Sequence, residues 1–458
     1  MDPLTINSSS PSVLLARSSD DGHRLFNVDS RFIIGTIMLF GIVIVTVIRF
    51  GHEVFDPLAE SLSIQGWAAV IARPSLLWFT MGMVLLAVRT LLWLRYHPVA
   101  PVDYEQAPRL SVVIPAYNEG AMVRQTVDAC VRAEYPRDRL DIIVVDDGST
   151  DDTWTHVSLA AQQHCDLVRT VRLPVNQGKR AALAAGFERA AGDIIVTVDS
   201  DSLVERGALL AIAGPFRDER VGVVAGKVCV LNRFRGLLPR MLHVRFVLSF
   251  DFLRSAQSSY GTVYCCPGAL SAYRASVLKP LVPAWFRQRF FGEACTIGED
   301  RALTNDVLAS GYKSVYQRTA VVHTLAPERY RTLCNMFLRW ERSYIREEIR
   351  LWRIMWTLPF PAMVLTLIET TVTNLRYPVA YGSLLLLINL SVQDPWTMLR
   401  LLLSIGLVSL SYTLYFLHSE RSREFLYGVL YGYFSFFTLF WIFPYALVTV
   451  RNRLWLTR

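Results

Sequence analysis

Several things are scarce in this chain of 458 residues. Seven cysteines are present, no two of them spaced Cys-x-x-Cys, so nothing suggests a structural zinc site, and the number fits a reducing compartment. Most of these thiols read as small buried apolar groups. The histidines offer no cluster either. His164 and His323 stand alone and read as structural residues rather than ligands. No internal repeat or low-complexity array is visible, which excludes a solenoid. About thirty polar residues precede the first apolar run, which is poorly placed for a cleaved leader and reads as a retained anchor.

What the chain does have is apolar residue, at 52%, with a positive mean hydropathy. It is unevenly placed. Residues 32–50 and 76–95 are nearly uncharged runs of spanning length, and 355–373, 377–391, 399–417 and 425–449 are further candidates. The expectation is two spans before a polar middle region and four after it. Arg73 is the one basic residue of the 51–75 loop, while the middle region and the tail VRNRLWLTR are basic. By the positive-inside rule, residues 96–350 and both termini face the cytoplasm, and the localisation expected is a multi-pass protein of the cell membrane. The net charge of +8 then reflects topology and affinity for anionic lipid, and it is no argument for nucleic-acid binding. The layout expected is a polar tail at 1–31, two spans within 32–95, a linker at 96–109, a cytosolic domain at 110–330, an amphipathic helix at 331–350, four spans within 355–449 and a tail at 450–458.

Between the apolar ends, strand and helix patterns alternate. LSVVIPAYNE, LDIIVVDDGSTDD, DLVRTVRLP and DIIVTVDSD read as strands with helices between them, which predicts a mostly parallel α/β sheet. Ligands of such sheets sit beyond the carboxyl ends of the strands. The polar clusters Tyr117–Glu119, Asp146–Ser149 and Asp199–Asp201 all fall there. Asp199 and Asp201, one residue apart at a strand end, suit a divalent cation completed by diphosphate oxygens, Mg²⁺ or Mn²⁺. VDDGSTDDT reads either as a hydrogen-bonding site for a ribose or base, with Gly148 allowing close approach, or as an acidic turn capped by Asp152 or Thr153. Lys179 and Arg180, at a helix start, suit an anionic substrate. Two later stretches, 238–257 with Arg240, His243, Asp251 and Arg254 on one face, and 331–350 with the stripe Leu333, Phe337, Trp340 and Tyr344, read as helices at the membrane surface. Helices packed on the sheet are the alternative.

The ordered set VVIPAYNE, VVDDGSTD, NQGKRAALAAG, VDSD, GEDR and RW resembles the processive family 2 glycosyltransferases. These are membrane enzymes with a GT-A catalytic domain, and they include hyaluronan, chitin and cellulose synthases and the Nod-factor chitooligosaccharide synthases. CCPGALSAYR and GEDRALTNDVLASGY look closest to the hyaluronan and chitooligosaccharide branch. The resemblance implies that Tyr117 stacks on uracil while Glu119 and Asp147 hold the nucleoside. It places Lys179 at the diphosphate or sugar, Arg339 at the diphosphate, Asp199 on the ribose side and Asp201 on the metal. Asp300 matches the catalytic base, and Trp340, with Cys265 and Cys266, the acceptor site. Trp455, Thr457 and Arg458 resemble a gating motif in which Leu456 replaces glycine. The family's QxxRW glutamine is Met336 here; a thioether lacks an amide's donors, so Asn335 is the substitute considered.

Together these imply an inverting transferase that draws on UDP-sugars, with Asp300 as base and Arg301 keeping it ionised. The donors implied are UDP-GlcNAc, with UDP-glucuronate if the polymer is hyaluronan. The growing polysaccharide and membrane lipids are the other implied partners. Rival readings are a one-donor chitin or glucan synthase, a non-processive enzyme acting on a lipid carrier, and a non-catalytic transporter or receptor.

Overall fold

The structure, a computed structural model, describes residues 74–393 and 396–452 with a few isolated positions before them. The expected first span at 32–50 lies almost wholly outside the described residues, and Trp455, Thr457 and Arg458 lie outside them entirely.

Ten strands are present among the described residues: β1 (Leu110–Ala116), β2 (Leu140–Asp146), β3 (Val168–Arg172), β4 (Ile194–Thr197), β5 (Ser202–Val204), β6 (Val221–Val230), β7 (Ser271–Arg274), β8 (Arg289–Phe290), β9 (Glu293–Ala294) and β10 (Lys313–Thr324). Eight form one sheet in the order β3-β2-β1-β4-β7-β6-β10-β5. The first four are mutually parallel, β7 runs against both of its neighbours, and β10 lies parallel to β6. Every residue of β1 is buried, because both faces of the sheet are covered. Val112 and Ile114 face the helices Met122–Arg132 and Thr153–Gln163, while Val113 faces Lys179–Arg189, Ala275–Phe286 and Glu299–Ala309. Since β1, β2 and β4 share a direction, their three carboxyl-end loops open on one rim.

The stretch 238–257 forms the helices Leu237–Val247 and Leu253–Ser258, joined by a π-turn at Leu248–Phe252. Its polar residues face protein, and this corrects the surface-helix expectation. His243, Asp251 and Arg254 are all buried. Asp251 accepts a hydrogen bond from Arg318 Nε at 2.8 Å and lies 3.6 Å from Lys227 Nζ, so the sheet's own cations absorb its charge. The second amphipathic stretch is the helix Tyr330–Ile354, with Leu333 buried and Trp340 37% exposed.

The trailing spans also depart from expectation. Residues 355–373 and 377–391, expected as two spans, form most of one 34-residue helix, Phe360–Gln393, which runs through Pro378. Trp396–Glu420 is long and apolar enough to cross a membrane. Residues 425–449, expected as one span, form Phe425–Thr438 and Ile442–Val448, bent by 48° at the break. Both ends of this bent pair rest on helices of the catalytic region. Arg240 Nη1 donates to the Tyr427 hydroxyl at 2.8 Å, and Arg342 Nη2 donates to Thr449 Oγ1 at 2.9 Å.

Candidate active site

The rim is assembled by side chains that bind neighbouring loops. Asn118 adopts a left-handed φ of 52°, and its Oδ1 accepts from the Thr150 amide at 2.9 Å. Thr153 Oγ1 accepts from the amides of Glu119 at 2.7 Å and Gly120 at 2.8 Å, so it serves the β1 loop as well as starting its own helix. The two oxygens of Asp147 accept the Gln177 and Gly178 amides, each at 2.8 Å. Burial raises the Asp147 pKa, and those two N–H groups oppose the rise. Gly148 has a φ of +68°, and a Cβ there would lie 2.5 Å from the Val175 carbonyl carbon. The close approach it permits is therefore that of the 175–178 loop.

At the centre, Lys179 Nζ lies 2.6 Å from Asp199 Oδ1 and 2.9 Å from Glu299 Oε1. Burial alone would lower the lysine pKa, but the two carboxylates outweigh it and hold the ammonium above its ordinary range. Arg180 turns the other way, donating to the Trp285 carbonyl at 2.8 Å and Gln288 Oε1 at 2.9 Å. It braces the core instead of facing a substrate. Asp300 Oδ1 accepts the Arg301 amide at 2.7 Å, and the Cys265 thiol lies 3.6 Å from Oδ2. Burial, then the Glu299 charge, raises the Asp300 pKa. The Arg301 guanidinium pairs with Glu348 and sits 4.5 Å over the Tyr344 ring, so it is not the group that keeps Asp300 ionised, as had been expected. Lys179 opposes the rise instead. Burial lowers the Arg339 pKa, against the pull of Glu299, Asp199, Asp300 and Asp201, which places that guanidinium in the field of four carboxylates.

Asp201 Oδ1 accepts from Ser202 Oγ at 3.2 Å and Thr324 Oγ1 at 3.3 Å. Asp199 and Asp201 border the same cavity. Two carboxylates form an all-oxygen donor set that suits a hard divalent cation whose remaining ligands come from a diphosphate. No cluster of three or more His, Cys, Asp or Glu residues exists among the described residues to make a full protein cage.

These elements surround one cavity of about 1560 Å³. Tyr117, Glu119, Asp147, Lys179, Asp199, Asp201, Cys265, Asp300, Arg339 and Trp340 border it, and it continues between the helices past Arg89, Glu369, Tyr377, Tyr412 and Phe443. Trp340 stands edge-on to Phe337 with ring centroids 5.5 Å apart. Cys266, expected beside the acceptor, is fully buried with its amide on Thr304 Oγ1 at 3.0 Å, because adjacent residues of an extended segment point to opposite sides. Met336 lines the cavity and packs into the core, whereas Asn335 does not border it. Helical neighbours are turned about 100° apart, so the substitution considered for the missing amide is not made. Sequence reasoning missed Glu299, although GED spells it beside Asp300, because its partner Lys179 is far away in the chain. It also missed Gly268, where a Cβ would lie 2.8 Å from Lys179 Nζ and 3.1 Å from Asp199 Oδ1.

A profile of Glycosyl transferase family 2 matches residues 111–282. An N-acetylglucosaminyltransferase of Azorhizobium caulinodans is 31% identical over 354 residues, covering 77% of this chain and 87% of that protein. A hyaluronan synthase of Streptococcus pyogenes is 34% identical over 364 residues, covering 78% and 84%. Among solved structures, a mannosyltransferase from Pyrobaculum calidifontis in complex with GDP-Man and Mn²⁺ shares the fold, with a TM-score of 0.51, 20% identity, and coverage of 81% of this chain and 97% of that one. With its GT-A sheet and its carboxylate-lined rim, the chain belongs to the family 2 glycosyltransferases and is a hexosyltransferase related to hyaluronan synthases and N-acetylglucosaminyltransferases.

Proposed function

We propose that this enzyme is a membrane-embedded, processive, inverting glycosyltransferase that polymerises UDP-sugars into a β-linked polysaccharide and extrudes the product. The observation that carries this reading is the single cavity joining Asp199, Asp201 and Asp300 to a wall of helices beyond Trp340. A hydrophilic polymer made in the cytosol needs such an enclosed route, since hydrocarbon offers its hydroxyls no partners. The names of the two relatives favour UDP-GlcNAc as a donor, with UDP-glucuronate joining it if the product is hyaluronan.

The chain's own residues account for the chemistry. Asp300, with its raised pKa, takes the proton of the acceptor hydroxyl as that oxygen attacks the anomeric carbon from the face opposite the diphosphate. One displacement inverts the centre, so an α-linked donor yields a β-linked product. Negative charge gathers on the departing UDP beside Lys179 and Arg339. When bound at Asp201 and Asp199, Mg²⁺ or Mn²⁺ neutralises diphosphate charge. Trp340 offers an aromatic face to the acceptor ring, and Tyr117 one to the base. The enzyme sits in the cell membrane with its catalytic domain and both termini in the cytoplasm.

Purified enzyme in lipid nanodiscs is to be given each UDP-sugar alone and in pairs with Mg²⁺ or Mn²⁺. UDP release, product length and digestion by linkage-specific hydrolases are then measured. Long, hydrolase-sensitive chains are expected. Products that grow by a single sugar, whatever the donor, would rule out processive synthesis.

A further inference from the structure

Glu369, on the helix Phe360–Gln393, is buried. A carboxylate set among apolar helices is expensive unless its charge and its lone pairs are met. Arg89, on the helix Pro74–Leu94, meets the charge, with Nη2 at 3.2 Å from Oε1. Two more donors arrive from the catalytic domain, both from one short segment. Gln257 Nε2 donates to Oε1 at 3.1 Å, and the Tyr260 hydroxyl donates to Oε2 at 3.2 Å.

That segment leads straight to the reaction centre. The hydroxyls of Tyr260 and Tyr264 are 2.8 Å apart, and the Tyr264 amide points at Gln257 Oε1 at 3.5 Å. Cys265 follows, with its thiol 3.6 Å from Asp300 Oδ2. From the opposite side, Arg254 Nε donates to the Cys265 carbonyl at 2.9 Å. A continuous line of contacts thus runs from the helical half of the cavity, through Glu369, Tyr260 and Tyr264, to the residue touching the base.

We propose that Glu369 and Tyr260 are positioning residues: they clamp Tyr264 and Cys265 to the helices and so set where the acceptor lies relative to Asp300. The proposal rests on the transferase reading with Asp300 as base. Proton removal needs the acceptor hydroxyl within hydrogen-bonding reach of that carboxylate, and a displacement of about 1 Å costs about 100-fold in rate. The donor side is built by other groups, the β1, β2 and β4 loops, the helix Lys179–Arg189 and Arg339 of the helix Tyr330–Ile354, none of which Glu369 or Tyr260 is shown to hold. Loosening the clamp therefore harms transfer to the acceptor and spares donor binding. It also spares the competing reaction, in which water attacks the anomeric carbon, the bond to the diphosphate breaks, and the water proton passes to Asp300.

The test uses the full-length enzyme in nanodiscs with Tyr260→Phe, Glu369→Gln and the double variant. UDP-GlcNAc is supplied with and without UDP-glucuronate. Labelled sugar incorporated into product is divided by UDP released, alongside the UDP dissociation constant and the thermal midpoint. Tyr260→Phe, which removes one hydroxyl and leaves the ring, is expected to lower that ratio about 3- to 10-fold with UDP binding and midpoint unchanged. Glu369→Gln lowers it too, and the double variant is no worse than the more severe single one, as expected for two links of one clamp. An unchanged ratio in Tyr260→Phe, or additive losses in the double variant, would overturn the proposal. A wild-type enzyme that releases UDP without extending any acceptor would instead remove the transferase reading beneath it.

Discussion

Glu299 and Asp300 are neighbours in one dipeptide, yet their surroundings drive them apart. Burial works to raise Glu299, but the Lys179 ammonium overcomes it and holds that carboxyl below its ordinary range. Burial and the Glu299 charge raise Asp300. Titratable groups pushed in opposite directions divide the labour of a site. Replacing Asp300 with Asn should lower kcat about 10²- to 10⁴-fold while UDP still binds; calorimetry beside a turnover assay checks both. A base works when ionised, so activity rises with pH through the Asp300 pKa. Glu299→Gln removes the negative neighbour, lowers that pKa and should move the acidic limb of the kcat profile to lower pH. A limb moving upward would contradict this account. Gly268 makes a separate point about space: a Cβ there would push against the Lys179–Asp199 pair, whose lysine end can move aside. Gly268→Ala should fold normally and raise the donor KM by about 10-fold, the loss expected of one charge-assisted contact. Asp199, Asp201 and Lys179 stood out in the sequence by their places near strand ends and a helix start, and Asp300 through the family resemblance; the structure brings all four to one cavity. Glu299 and Gly268 did not stand out, because their roles come from partners distant in the chain.

Elements supply the next level of control. The π-turn at Leu248–Phe252 aims Asp251 at the sheet, where the Tyr316 hydroxyl donates to it at 3.2 Å alongside Arg318. An extra residue in a helical turn re-aims everything after it. Period-3.6 counting over 238–257 therefore groups Arg240 and His243 with Asp251 and Arg254, although the two pairs meet different partners. Asp251→Ala would remove the carboxylate that Arg318 and the Tyr316 hydroxyl meet, although Lys227 keeps Glu420 at 3.0 Å, and should cost about 1–3 kcal/mol, measurable as a fall in unfolding midpoint in detergent. The strands were more legible because β1, β2 and β4 are short, largely apolar runs with a carboxylate at their end or within three residues of it, Glu119, Asp146 and Asp199. Hydropathy split 355–373 from 377–391, which one helix joins, and did not foresee the bend between Thr438 and Ile442. An apolar run reports burial, and it does not report the direction of the helix axis.

For the molecule as a whole, the path of the bent pair is what the membrane topology turns on. Its start touches Arg240 and its end touches Arg342, both on helices of the catalytic region. If both contacts lie on one side of the membrane, the segment is expected to return to the side it left. Cysteines introduced as Ser422→Cys and Asn452→Cys, in a background without the exposed Cys165, should react alike with an impermeant thiol reagent on inside-out vesicles. Labelling of position 452 from the opposite side would refute this. If the cavity is the polymer's route, UDP-sugar added outside those vesicles should yield product sealed within.

The amino-acid order alone determined the alternating sheet, the acidic rim and the membrane-seeking ends, because each is written in neighbours: periodicity, strand ends and uninterrupted apolar length. Tertiary structure alone decided which carboxylate holds the lysine, which cysteine faces the cavity, and which apolar helices return to the catalytic domain. Those outcomes depend on groups far apart in the chain that meet only when the sheet and helices close around the site, where charge and packing, rather than local pattern, set the result.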